Sequence, residues 1–143
     1  FKGLPHRLEF ITSINQVDFY NDSKSTNAVS TITAVNSLLE KYSQLVLIVG
    51  GIAKQENYSE LIELINEKVQ TVVLIGESSK VFSEQLSVPT LKIARSMKEA
   101  VSLSKSLAKG GAIVLSPGCA SFDMFDDFND RGNQFKHHVI EGN

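Results

Sequence analysis

The sequence holds a single cysteine, Cys119, and no tryptophan. One thiol cannot close an internal disulfide, which fits a reducing compartment. No apolar run approaches the roughly 18 residues that a membrane span needs. Nor does a basic, aromatic-rich stripe mark a nucleic-acid face, and the formal net charge is only −2. Membrane and nucleic acid are therefore not expected partners. Three further signatures are missing: the G-x-x-x-x-G-K-[ST] phosphate loop, the G-x-G-x-x-G dinucleotide turn and the G-x-S-x-G nucleophile elbow. The chain opens Phe1-Lys2-Gly3-Leu4-Pro5 with neither a methionine nor a leader-like segment, and is expected to be a piece of something longer.

What is present reads as one globular domain of 143 residues, 42% hydrophobic and 21% charged. Residues 8–14 and 17–20 flank Asn15-Gln16 as a hairpin. Ala28, Ile32, Val35, Leu38 and Tyr42 recur at helical spacing, which predicts a helix over 26–42. The unbroken apolar run 45–49 suits a strand buried on both faces. Helix and strand then alternate, with strands at 72–75, 91–93 and 112–115 and helices around Leu61, Phe82 and Ala100. A final helix is expected from about Ser121 or Asp123 to Ile140, packed by Phe122, Phe125, Phe128 and Phe135, with aspartates in its front half, Arg131, Lys136, His137 and His138 in its rear, and most of those charges in solvent. This order predicts an α/β fold: a Rossmann-like, doubly wound, mostly parallel sheet with helices on both faces and an N-terminal antiparallel hairpin.

In such sheets ligands bind beyond the carboxyl ends of the strands. Three segments fall there. Asn21-Asp22-Ser23-Lys24-Ser25-Thr26-Asn27 puts a carboxylate, an ammonium and hydroxyls at a helix N-terminus, whose free N–H groups attract anions; Ser25 or Thr26 could equally be a plain N-cap. Gly50-Gly51-Ile52-Ala53-Lys54 follows the central strand with paired glycines, which read as turn punctuation or as room for a ligand, and with a mobile charge. Leu115-Ser116-Pro117-Gly118-Cys119-Ala120-Ser121-Phe122-Asp123 brings small residues and a hydroxyl to the last helix, with Ser121 as a candidate cap or ligand group. Adjacent His137-His138 cannot face one metal from a regular helix, so no metal site is expected. Cys119 reads as a small buried hydrophobe, and no base is placed beside it for a hydrolase.

Taken together, these segments resemble the third, C-terminal domain of the Mur ligases, in particular the D-glutamate-adding branch. Leu4-Pro5-His6-Arg7 resembles that family's lead-in to the domain, and the 21–27 segment is similar to its Asn-Asp-Ser-Lys-Ala-Thr-Asn motif. The 115–123 segment and Arg131-Gly132-Asn133-Gln134-Phe135 resemble its closing motifs. Branches adding other amino acids carry different residues at the first motif.

The resemblance implies a three-domain, cytoplasmic, monomeric amide-bond ligase. ATP activates a carboxylate as an acyl phosphate, which the amine of D-glutamate attacks. It assigns the D-glutamate carboxylates to Thr26, Lys54, Ser121 and the backbone near Phe128, the nucleotide ribose to Asp22, and the ATP phosphates to Arg7 and Lys24. His6 is implied as a nucleotide neighbour. ATP and Mg would be held mainly by a central domain that this sequence does not contain, and UDP-N-acetylmuramoyl-L-alanine by the others. No catalytic residue is expected here, and the isolated piece is expected to be inactive. Ser25 and Gly118 each replace the usual alanine, and Ile52-Ala53 replaces an Asp-containing turn. The rival reading is a free-standing Rossmann-like module that binds a small anion or nucleotide without catalysis.

Overall fold

The computed structural model describes residues 4–54 and 56–142. Residues 1–3, on which the reading of a truncated start rests, lie outside them.

The hairpin forms where the sequence predicts it. β1 (Glu9–Ile14) pairs antiparallel with β2 (Val17–Asn21). Its two-residue turn needs positive φ at both central positions, and Asn15 and Gln16 have φ of 51° and 67°. The remaining strands are β3 (Leu45–Gly50), β4 (Thr71–Ile75), β5 (Thr90–Ile93) and β6 (Gly111–Leu115), and the sheet order is β1-β2-β6-β3-β4-β5. From β2 to β5 every neighbouring pair is parallel.

Helices α1 (Ala28–Leu39), α2 (Ser59–Lys68) and α3 (Ser79–Gln85) share one core with Leu45, Leu47, Val49, Val72 and Leu74. Helices α4 (Met97–Leu107) and α5 (Phe128–Glu141) share the other with Val46, Ile48, Val73, Ile75 and Ile113. Successive strand residues face opposite layers, and all six of β3 are buried, so the run reads as continuously apolar. Each of the five apolar side chains from Leu45 to Val49 contributes about 1.5–3 kcal/mol on burial. No helix among the described residues is long and apolar enough to cross a membrane.

Three expectations need correction. α1 begins after Asn27, whose side chain accepts the Ser30 N–H, so neither Ser25 nor Thr26 is the cap; the helix also stops at Leu39, short of Tyr42. The last helix starts only at Phe128, capped by Asp127, and residues 121–127 are turns. Asp123 there accepts the Glu77 N–H and Asp127 caps the helix by accepting from Asp130, while Asp130, in the first turn of α5, accepts from Asp126. Phe122 consequently lies outside the core and is 70% exposed. Finally, Arg131 is not on the surface; it is fully buried.

Candidate functional site

β6 is the last strand in the chain yet sits between β2 and β3. Its position brings the loops that follow all three strands side by side at one edge of the sheet. Backbone bonds weld them: Asp22 N–H donates to the Leu115 carbonyl at 2.7 Å, Gly118 N–H to Ser25 at 2.9 Å, and Gly50 N–H to Pro117 at 3.0 Å. Ile52 and Ala120 form an isolated bridge with reciprocal bonds of 2.9 and 3.1 Å. The paired glycines allow close backbone approach on two sides, Gly50 to the end of β4 and Gly51 to this weld. A Cβ on Gly50 would strike the Ile75 carbonyl, and one on Gly51 the Ala120 carbonyl.

Asp22 organises the first loop from inside. It is 3% exposed. Oδ1 accepts the Leu8 N–H at 2.9 Å, and Oδ2 accepts the hydroxyls of Ser25 and of Ser116, the latter at 2.6 Å. Burial pushes its carboxyl above the ordinary 3.8, against the pull of Ser116, Ser25, the Leu8 amide and Arg7. A carboxylate offers about four lone-pair directions, so three internal donors leave room for one more.

A cleft of about 310 Å³ opens beside Asp22, between residues 7–8, the 22–25 loop and the outer face of α1 at Val29 and Thr33. Arg7, Asp22 and Lys24 all line it. His6 sits behind the cleft, buried against Phe128 at 6.1 Å between ring centres, with Nδ1 accepting from Asn21 Nδ2 at 2.8 Å. Gly132 faces it, and any Cβ there would strike the imidazole.

Burial, then the nearby Lys136 charge, lowers the His6 pKa from 6.5. A base whose folded pKa is depressed stabilises the fold above its unfolded pKa and loses that contribution as pH falls through the window below 6.5. His138 shifts the same way, burial and His137 being the main causes, so only a variant isolates His6. His6→Gln should show a smaller drop in urea midpoint between about pH 7.5 and about pH 5.5 than the parent. Equal drops would remove His6 as the titrating group.

The other four expected residues come from four places along the same edge. Thr26 precedes the α1 cap and is partly buried. Lys54 is exposed, four residues beyond the end of β3. Ser121 is 2% exposed, and its carbonyl turns the chain by accepting from Met124 and Phe125. Phe128 opens α5, where helix geometry leaves the first N–H groups without intrahelical partners. Lys24 Nζ lies 4.8 Å from the centre of the Phe128 ring, so the two groups of residues adjoin.

The structure gives residues at this edge contacts that the sequence reading did not assign. Arg131 reaches from α5 under the loops: Nε donates to Ser23 Oγ at 2.9 Å, Nη2 to the Ser23 carbonyl at 2.7 Å and Nη1 to the Cys119 carbonyl at 2.9 Å. Burial lowers its pKa to about 10, so it stays cationic at neutral pH. Ser23 in turn donates to the Phe128 carbonyl at 2.7 Å. Glu56 Oε2 accepts the Ala28 N–H at 3.2 Å, placing a carboxylate of the chain itself at the first turn of α1. Cys119 is buried, and burial pushes its thiol up to about 11, which leaves almost no thiolate for a hydrolase near neutral pH.

The family model described as Mur ligase, glutamate ligase domain, matches residues 6–119. A protein of Cytophaga hutchinsonii named UDP-N-acetylmuramoylalanine–D-glutamate ligase is 48% identical over 144 residues, covering 99% of this chain and 31% of the relative. One of the same name from Marinobacter nauticus is 43% identical over 145 residues, covering 99% and 32%. This chain thus spans about a third of those relatives. Among solved structures, Mycobacterium tuberculosis folylpolyglutamate synthase complexed with ADP aligns with a TM-score of 0.68 at 13% identity, over 99% of this chain and 33% of that one. MurF ligase from Thermotoga maritima in complex with ADP aligns with a TM-score of 0.59 at 17% identity, over the same shares. At such identities the likeness is one of fold.

Proposed function

This chain belongs to the Mur ligase family through its glutamate ligase domain, and from that footing we propose that it is the third domain of an ATP-dependent ligase adding D-glutamate to UDP-N-acetylmuramoyl-L-alanine in the cytoplasm. The observation that carries the reading is the side-by-side seating of two anion-friendly regions. Arg7 and Lys24 line a cleft with Asp22, and Thr26, Lys54, Ser121 and the start of α5 lie beyond Lys24 along the same edge. The names of the relatives point the same way, as do the ADP complexes of the structural neighbours.

The residues fit such ligands. Two cations suit a polyphosphate. Asp22 has one acceptor direction left for a ribose hydroxyl, and His6, whose carbonyl accepts the Lys24 N–H at 2.9 Å, is a nucleotide neighbour. Bound ATP supplies the phosphoryl group that activates the acceptor carboxylate. Mg²⁺ would accompany the ATP phosphates and be held mainly by the rest of the enzyme, since among the described residues no group of three or more His, Cys, Asp or Glu could hold a metal ion. Lys54, the Thr26 and Ser121 hydroxyls and the free N–H at Phe128 hold the two D-glutamate carboxylates and aim its amine across the gap between domains. Catalysis of this kind rests on positioning and charge neutralisation, which asks no covalent step of this chain. The enzyme acts as a monomer that closes this domain over the nucleotide.

Arg7 gives the direct test of the cleft. In the intact ligase, Arg7→Ala should raise the KM for ATP about three- to tenfold, an exposed charge being worth less than an enclosed one. The KM for D-glutamate should stay within about twofold. An unchanged ATP KM would take the nucleotide away from this cleft.

A further inference from the structure

Lys54 projects from a loop exit and is exposed, and an ammonium on a four-carbon stem gains little from a site unless its backbone is held. Both of its backbone groups are in fact tied. Its carbonyl accepts the Glu56 N–H at 2.8 Å, and its N–H donates to the Tyr58 hydroxyl at 3.2 Å. The same hydroxyl donates to the Gly118 carbonyl at 3.2 Å and lies 3.9 Å from Cys119 Sγ. A phenol has one proton to give and lone pairs to receive with, so donation to Gly118 and acceptance from Lys54 are compatible. Burial raises its pKa far above neutral, and the proton stays in place.

The ring is fixed as well. It packs edge-on against Phe82 of α3 at 5.2 Å. Asn57, whose side chain accepts the Ser59 N–H at 2.9 Å, serves the start of α2, so the Tyr58 hydroxyl is not used as a cap. On the near side of Lys54, the Ile52–Ala120 bridge fixes the chain to the loop that carries Ser121.

Resting on the ligase reading, we propose that Tyr58 is the positioning residue for Lys54. Its hydroxyl fastens the Lys54 backbone to the Gly118 turn and so sets where the ammonium stands relative to Ser121 when the amino-acid substrate binds. Tyr58 touches no substrate; it acts through Lys54.

Tyr58→Phe keeps the packing on Phe82 and deletes only the hydroxyl. In the intact ligase it should raise the KM for D-glutamate about three- to tenfold, with kcat and the KM for ATP within about twofold of the parent. On a Lys54→Ala background the same change should add nothing, because a residue acting through another loses its effect when that residue is gone. An unchanged D-glutamate KM for Tyr58→Phe, an equal rise in both KM values, or a full further rise on the Lys54→Ala background would each overturn the proposal. Lys54→Ala alone separates the two levels. If it leaves the D-glutamate KM unchanged, the ligase reading of this loop fails; if it raises that KM and Tyr58→Phe does not, only the positioning role fails.

Discussion

Arg131→Met should lower the stability of the domain by about 3–5 kcal/mol, the largest loss expected of any single substitution at the site edge. The guanidinium is enclosed, and its Nε, Nη1 and Nη2 serve three acceptors on two loops that are distant in sequence. Methionine fills similar volume without any donor, so the Ser23 hydroxyl and the two carbonyls would be left buried and short of partners. Leaving a buried polar group unpaired costs about 1–3 kcal/mol each, and the sum is less than additive because the loops can relax. Arg131→Lys keeps the charge but has no planar fork to span both loops, and should recover less than half of the loss. Thermal or urea denaturation reads this directly. A loss below about 1 kcal/mol for Arg131→Met would mean that the loops hold without the arginine.

Lys54→Ala should raise the KM for D-glutamate about ten- to a hundredfold in the intact ligase, leaving the ATP KM near its parent value. The magnitude decides between two pictures. An ammonium that stays in solvent contributes little to binding, and its loss would cost at most about fivefold. A hydrogen bond between charged partners in an enclosed site is worth about 1.5–3 kcal/mol, which gives the larger range. The residue is exposed in the domain alone, so the larger effect requires that the other domains and the ligand cover it on closure. A D-glutamate KM that does not move would remove Lys54 from the site.

The fold was legible wherever burial is two-sided or a turn has special chemistry. The β3 run and the Asn15-Gln16 turn announced themselves because the parallel sheet excludes polar residues and the tight hairpin demands positive φ. The common edge of the three loop segments was legible for a related reason: each follows a strand, and parallel strands end at one edge of the sheet. What failed was the assignment of charge to surface. Arg131 stands three residues after Phe128 and four before Phe135, on the very stripe that faces the core, and its helical position could have revealed it. The late start of α5 was hidden because aspartates that favour a first helical turn also bind the backbone of irregular loops. The contacts of Glu56 with Ala28 and of Tyr58 with Gly118 span 28 and 60 positions and follow from loop geometry, which no local pattern encodes.

The insertion of β6 between β2 and β3 also governs how this domain can be made. Until residues 111–115 have been synthesised, β2 and β3 have no neighbour in common, and each keeps an open edge of unpaired N–H and C=O groups. The sheet cannot close from its N-terminal half alone, and its decisive pairings join residues nearly a hundred positions apart, such as Val17 with Gly111. Contacts of that span close slowly, because loop entropy is lost before pairing compensates it. Arg131 comes later still, so the Asp22 loop and the Cys119 loop are locked together only when almost the whole domain has left the ribosome. The candidate edge thus cannot gain its full set of bonds before α5 is made, and a nascent chain halted before β6 carries two open strand edges.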